Sequence, residues 1–432
     1  MISITTIKGV SPIKKVLIAM LLFAIGCPLY HMSTFVGNLT KLTGVLYFLY
    51  VLIVSPKYYK GFVRNNVAYV LLCFWILLTT IRMFFVSEQN AFWGGGFSET
   101  TRTLFLGAEF IPNLIPLTLL LYRNDKIVDL YSYNQLSKLL LIIFLIFTPY
   151  AIHHMIHYEW SGVLYSLGTE EWGDEGTYGD FVMNSSLSLS ALAPPIVMIY
   201  LRKYESKRIW FFYLLTTIVL LFISAFTARR SGTALYFFYY VVCYYFYFRD
   251  SKKNKYLYII FLMIVFCALY KYILVSNNTY FSLLLERGIE DTRSGVENSF
   301  YKDMDVFSWL FGRTWFGAYY EPAWGRFRTS IETGFLAFIL RGGIVYLLLY
   351  LMVLVPTAYK GLLKSKNVLV KSFAIMIFMH VIELYPYGWP SFTIQYYTVW
   401  LGVFICQSSF YRNMSDDDIY ERFNFIKLYG DK

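Results

Sequence analysis

Charged side chains are scarce in this chain: Asp, Glu, Lys and Arg make up only 15% of its 432 residues. An ordinary soluble domain carries about 25%, so this surface could not be solvated by water alone, which excludes a water-soluble enzyme. Cysteine is sparse as well. The five cysteines, Cys27, Cys73, Cys243, Cys267 and Cys406, all fall in apolar stretches without paired spacing, so neither a disulfide framework nor a zinc site is indicated. Gly94, Gly95 and Gly96 are not followed by a phosphate-loop lysine, and GxGxxG is absent; the chain offers no nucleotide-binding motif. His153, His154 and His157 lack the glutamate of an HExxH pattern and are read as interfacial packing, not as metal ligands. No cofactor is expected. The net charge of +11 is divided among short clusters between apolar runs, so nucleic acid is not an expected partner. No internal repeat is visible.

What is present is apolar sequence in spanning lengths: 57% of the residues are hydrophobic and 21% aromatic. The aromatic excess is beyond what an interfacial belt requires; it reflects either compositional bias or a groove that holds sugar or lipid. Apolar runs recur near 16–36, 39–54, 67–86, 103–122, 139–157, 181–201, 209–226, 231–248, 256–275, 331–355, 369–385 and 391–409. The fold class expected is an all-α polytopic membrane protein of about twelve transmembrane helices, with a large external loop before the tenth. Pro112 and Pro116 mark the fourth run as kinked or broken. The basic segment with Lys14 and Lys15 before the first run has no small-residue cleavage site after it, and is read as a retained first helix.

Basic residues set the orientation. Alternate connections hold Lys57, Lys60 and Arg64; Arg123, Lys126 and Lys138; Arg202, Lys203, Lys207 and Arg208; Arg249, Lys252, Lys253 and Lys255; and Lys360, Lys364, Lys366 and Lys371, whereas 158–180 and 386–390 have neither Lys nor Arg. An even number of spans with both termini in the cytoplasm satisfies this asymmetry. The organisation expected is helices 1–9 in 1–275 with an acidic external loop at 158–180, a large periplasmic loop at 276–330, helices 10–12 in 331–409, and a cytoplasmic tail at 410–432.

Two external segments break the charge rule. One is 227–231, which carries Arg229 and Arg230 with no neighbouring acid; the other is 276–330, which carries Arg287, Arg293, Lys302, Arg313, Arg326 and Arg328 among seven acids. An Arg guanidinium presents a planar fork that matches phosphate oxygens in pairs. Arg229, Arg230, Arg313, Arg326, Arg328 and Arg341 are therefore candidate diphosphate ligands, against the plainer reading that those in the long loop pair with its own acids. Glu332 precedes a spanning helix, where a carboxylate is favoured, and Arg341 lies about two and a half turns further on, within the membrane. The plainer reading makes Glu332 a helix cap and Arg341 a ligand of lipid head groups or of a neighbouring acid. Arg82, Glu109, Lys271, His380 and Glu383 are further polar groups in or near spans. His380 and Glu383 are three apart, on one helix face, as an acid–base or acceptor-binding pair or as a structural hydrogen bond between helices.

The segment Ser224-Ala-Phe-Thr-Ala-Arg-Arg-Ser-Gly-Thr233, the dominant late external loop, and Glu332-Thr-Gly334 running into Leu340 to Ile344 together resemble the O-antigen polymerases, the Wzy family, within the group that includes O-antigen ligases. The ligase branch has a histidine before that helix where this chain has Thr329 and Ser330. The resemblance implies an inverting, metal-independent glycosyltransferase of the bacterial inner membrane. It would join undecaprenyl-diphosphate-linked glycans at the external face into O-antigen or a related surface polysaccharide, with membrane lipids and a chain-length regulator protein as further partners. Cations would stabilise the departing diphosphate. The catalytic base would be Glu332 first, with Glu321 or the His380 and Glu383 pair behind it. An O-antigen ligase and a lipid-linked oligosaccharide flippase are the alternatives; the flippase is disfavoured by the length and charge of 276–330.

Overall fold

The computed structural model describes residues 12–54, 66–85, 110–121 and, except for 324 and 388, 293–429, with a few isolated positions between them. The chain divides into two compact units, 1–139 with 293–432 and 140–292; the elements below belong to the first. The expected fifth to ninth spans, the acidic loop 158–180 and residues 276–292 of the long loop lie outside the described residues, as does the motif around Arg229 and Arg230.

Two helices, α1 (Pro12–Met32) and α2 (Thr34–Val54), meet at Ser33 and fold back on each other. Their contact is close because Gly44 faces the α1 backbone: a Cβ there would stand 2.6 Å from the Ala19 carbonyl oxygen. Small residues permit such approach where lipid supplies no hydrophobic drive between helices. Next come α3 (Val67–Phe85) and a 3₁₀ helix, Ile111–Leu121. Pro116 lies inside this 3₁₀ segment, so the break expected from the two prolines takes the form of a tighter helix. The Pro116 carbonyl accepts from the Tyr69 hydroxyl at 2.8 Å.

The long loop contributes α4 (Ser294–Asp303), α5 (Val306–Phe311) and a hairpin of β1 (Tyr319–Glu321) and β2 (Arg326–Arg328), paired antiparallel with Tyr319 opposite Arg328 and Glu321 opposite Arg326. Then α6 (Gly334–Leu363), α7 (Val368–Tyr387) and α8 (Ile394–Gln407) pack together, and α9 (Ser409–Asn413) and α10 (Asp416–Tyr429) follow. Among the described residues four helices, α2, α3, α6 and α7, are long and apolar enough to cross a membrane. On α3 the exposed side chains Phe74, Leu77, Ile81 and Phe84 form one stripe, and on α6 Ile344, Leu348, Met352, Val355 and Tyr359 form another. Exposed apolar stripes at helical spacing are surfaces suited to lipid.

The tenth expected span is interrupted. Gly343, with φ 75° and ψ 175°, is non-helical and divides α6 in two. A backbone region open essentially to glycine alone places the break there. The sequence suggests close helix approach at Gly342 and Gly343; the structure adds that a loop, not a helix, approaches, since a Cβ on Gly343 would lie 2.0 Å from the Leu310 carbonyl oxygen. Carbonyls released by the break find side-chain and loop donors. Trp75 Nε1 donates to Gly342 O at 2.7 Å, and the Arg313 backbone N–H donates to Leu340 O at 2.6 Å. Arg82 donates to Phe311 O at 2.6 Å and Gly312 O at 3.1 Å, capping the C-terminus of α5 with a cation.

At the other ends of these helices, Asn367 in the α6–α7 turn is fully buried. Its amide donates to Tyr411 O at 2.7 Å and Met414 O at 3.0 Å, and its Oδ1 accepts from the Val370 N–H at 2.9 Å. Asn66 donates to Gln407 Oε1 and Gln407 to Thr357 Oγ1, each at 2.7 Å. The start of α3 therefore meets α6 at Thr357 and the end of α8 at Gln407.

Gly343→Ala is expected to lower stability by at least about 3 kcal/mol through strain and overlap with α5. Gly325→Ala, at φ +60° with nothing within 4 Å of an added Cβ, should lose about 1 kcal/mol. Thermal unfolding of both variants in detergent, followed by size-exclusion fluorescence, checks the difference.

Candidate functional site

The described loop residues 293–333 are organised by one arginine. Arg313 is buried; its guanidinium pairs with the Asp303 carboxylate and donates to Asp303 O at 2.5 Å, Ala318 O at 2.8 Å and Ser308 Oγ at 3.1 Å. These bonds tie the end of α4, the start of α5 and the strand β1 together. They also hold Thr314 at φ 67°, a left-handed conformation that costs a non-glycine residue about 1–2 kcal/mol. Asp305 caps α5 by accepting from the Ser308 N–H at 2.6 Å, and the Ser308 hydrogen bonds hold its carboxyl below the usual range. An aromatic core of Phe300, Trp309 and Tyr319, with ring centres 5.6–5.7 Å apart around Phe300, fills the space between.

Above this core lies a ledge of charge. The Glu332 carboxylate is half exposed and stands 3.5 Å from Arg293 Nε. Glu332 therefore does not cap α6; the N-cap is Thr333, and the Thr333 hydroxyl donates to Glu297. Arg293 also reaches the outer end of α7, with its guanidinium 5.8 Å from the Tyr385 ring centre. Arg328 and Arg326 stand on β2, Arg326 exposed and opposite the buried Glu321. Glu321 Oε1 accepts from the Ser299 hydroxyl at 2.9 Å, while its Oε2 has no hydrogen-bond partner among the described residues. Tyr319 sits within the field of three of these groups. Burial pushes its phenol up to about 12, Arg328 opposes the shift, and Glu321 and Glu332 add to it. The ledge thus gathers Glu321, Arg328 and Glu332 near Tyr319, with Arg293 beside Glu332.

Next to the ledge, where α6 and α8 begin and α7 ends, is a buried aromatic cluster that contains ionisable groups. The His380 Nε2 and the Tyr350 hydroxyl are 2.6 Å apart, and His380 Nδ1 is 4.0 Å from Glu383 Oε2. Gln395 donates to Glu383 Oε2 at 3.2 Å. Around them stand Phe338, Tyr346, Trp389, Tyr396 and Trp400, with Phe338 4.5 Å from Tyr350 and 4.6 Å from Trp389 between ring centres. Arg341 lies in the same cluster, its guanidinium 4.2 Å over the Trp389 ring, a cation–π contact worth about 2 kcal/mol where both groups are desolvated. Glu383 Oε1, Trp389 Nε1 and Trp400 Nε1 are buried without a hydrogen-bond partner among the described residues. A buried polar atom left unbonded calls for a partner from beyond the described residues.

Among the residues singled out in the sequence, the structure thus brings Glu332, Glu321 and Arg328 together on the ledge, with Arg326 beside them. It sets His380, Glu383 and Arg341 in the aromatic cluster and gives Arg313 to the loop's own framework. Arg229 and Arg230 lie outside the described residues. Arg293 on the ledge, and Tyr350, Gln395, Trp389 and Trp400 in the cluster, complete the arrangement. Nothing marks Tyr350, Gln395 and the two tryptophans in sequence, because aromatic and amide residues are common in spans; only their convergence on the His380 and Glu383 face distinguishes them. Comparison of the chain with protein-family models, curated proteins and solved structures gives no match.

Two kinds of arginine follow from this geometry. Arg313→Ala leaves the Asp303 carboxylate and the Ala318 carbonyl without their donor and is expected to cost about 3 kcal/mol, read as loss of protease resistance in 293–333. Arg293→Ala and Glu332→Ala remove an exposed pair whose coupling is below about 1 kcal/mol. A double-mutant cycle on the melting temperature should find them nearly additive and the loop as resistant as in the parent chain.

Proposed function

We propose that this protein polymerises undecaprenyl-diphosphate-linked oligosaccharide repeat units at the external face of the bacterial inner membrane, as an inverting glycosyltransferase of the O-antigen polymerase type. The single observation that carries the reading is the joining of two groups: Arg293 links Glu332 of the Arg- and Glu-bearing ledge to Tyr385, two residues past Glu383 of an aromatic cluster with unbonded polar atoms. A lipid diphosphate at the membrane surface needs the first group. A hydroxyl-bearing sugar, which stacks on rings and donates to carboxylates, suits the second.

In this reading the donor's anomeric carbon loses its bond to the diphosphate oxygen, and the diphosphate departs with the electron pair. An acceptor hydroxyl oxygen forms the new bond from the opposite face, and its proton passes to a carboxylate. Arg326 and Arg328 of the ledge, with Arg229 and Arg230, stabilise the departing charge. Arg341 serves from the cluster, and Arg313 holds the loop in place. Glu332 is the first base: it is exposed to an incoming hydroxyl, and Arg293 stands beside it. Glu321, on the hairpin, is the second candidate. His380 and Glu383 receive acceptor hydroxyls in the cluster. Both termini are cytoplasmic in this arrangement, and twelve spans carry the chain.

The test is reconstitution of the full chain in lipid with an undecaprenyl-diphosphate repeat unit, the products being resolved on a gel. A ladder of lipid-linked multimers is expected from the parent chain. Losses of about 10²–10³-fold in rate are expected for Arg229→Ala, Arg230→Ala and Glu332→Ala, with melting temperatures unchanged. Movement of the lipid between leaflets without a ladder would identify a flippase instead. Transfer of preformed glycan only to a lipid acceptor of a different kind would identify a ligase. Product that retains the donor's anomeric configuration would overturn single displacement.

A further inference from the structure

The short helix α5 belongs to the loop that the charge pattern places outside the membrane, yet its outward surface is apolar. Val306 is 77% exposed, Phe307 60% and Leu310 43%. Three large apolar side chains on one short element are a contiguous patch, not scattered exceptions.

The neighbours of α5 set its depth. Its last carbonyls are held by Arg82, which at about 1.5 Å per residue stands roughly 22 Å beyond Val67 along α3, short of the roughly 30 Å of a hydrocarbon core. Trp75, two turns deeper on α3, stacks on Phe311 with ring centres 5.8 Å apart. The Arg82 guanidinium lies 5.6 Å from the Phe307 ring centre. On the other side, Leu310 abuts Gly343, where α6 is broken; Gly343 is roughly 25 Å from Lys360 at the same rise per residue, again inside the core. At the N-terminus of α5, by contrast, the cap is the exposed Asp305, and Lys302 just before it is exposed as well. The helix therefore slants from a charged, wetted start to an end at the depth of two spans.

The apolar patch is also continuous with surface of known kind. Phe307 meets Arg82, which lies between Ile81 and Phe84 of the α3 stripe, and Leu310 meets Gly343, next to Ile344 where the α6 stripe begins. Backbone that is not part of a spanning helix is tolerated at that depth only where its polar groups are satisfied by protein, and here they are: Phe311 O and Gly312 O by Arg82, Leu340 O by Arg313, Gly342 O by Trp75.

We propose that α5 is a membrane-embedded anchor: the exposed faces of Val306, Phe307 and Leu310, next to the lipid-facing stripes of α3 and α6, contact the acyl chains of the outer leaflet. The anchor fixes the loop from below, so that Arg293, Arg328 and Glu332 are held at the level of lipid head groups. The inference concerns where the loop sits and is independent of the chemistry performed there.

The unmodified full chain, reconstituted in vesicles of zwitterionic phospholipid that include a phospholipid with a diazirine on its acyl chain, tests this by irradiation and mapping of adducts by mass spectrometry. Adducts on 306–310 should match in yield those on the α3 and α6 stripes and exceed those on 319–328 by at least about tenfold. A water-borne carbene reagent should give the reverse order. Labelling of 306–310 from water and not from lipid would overturn the proposal. So would protection from both reagents that is lost as protein is diluted into lipid, which would assign the patch to a second copy of the chain.

Discussion

In a hydrocarbon environment a peptide group cannot be left to water, and an interrupted helix must find donors for the carbonyls it releases. The break at Gly343 is the place where this constraint acts on the described part of the molecule. Gly342 O and Leu340 O cannot be served by the helix itself; Trp75 and the Arg313 backbone serve them. The Arg313 backbone can reach only because α5 and the turn after it press into the gap, and that turn brings carbonyls of its own, which Arg82 receives. Three distant stretches of chain, α3, the loop and α6, are thereby locked by one accounting of donors and acceptors. The charged ledge and the aromatic cluster keep their places through that lock, because the loop's framework begins at Arg313 and the cluster begins at the half-helix before Gly343.

The division of labour among the arginines follows from burial. A guanidinium surrounded by carbonyls and one carboxylate, as Arg313 is, has its donors engaged in holding backbone together. One laid over an indole, as Arg341 is, keeps a cation within the aromatic cluster. Arg326, on an exposed hairpin edge, faces solvent. As letters the three are alike, two in the loop and one in α6, and they occupy three different environments.

The sequence makes the spanning helices legible because their signal is sheer length of apolar residues. The first, second and third described helices and the last two long ones fall close to the runs that show them, with starts displaced by a few residues where Ser33 and Thr333, not hydropathy, set the ends. The prolines at 112 and 116 forecast a departure from α-helix that the 3₁₀ segment fulfils. The break at Gly343 is a different matter. A Gly–Gly pair in a membrane helix is as compatible with tight packing as with a positive φ, and what decides is the loop that presses against it, hundreds of residues away from Trp75 and Arg82. For the same reason Arg82 is visible as a polar residue in a span, but its partners are not. The face shared by His380 and Glu383 is legible from their spacing; the Tyr350 hydroxyl and Gln395 that meet it come from other helices and leave no local trace.

Asn367 carries a consequence for how the molecule is completed during synthesis. Its amide in the turn between α6 and α7 has its two acceptors at Tyr411 and Met414, beyond α8, and the Lys366 N–H likewise waits for Arg412 O. The hairpin of α6 and α7 therefore has the amide of its turn completed only once the chain has passed through α8 to Met414. Residues 411–414 act as a latch on that turn, so the order of assembly is written into the hydrogen bonds of a single buried amide.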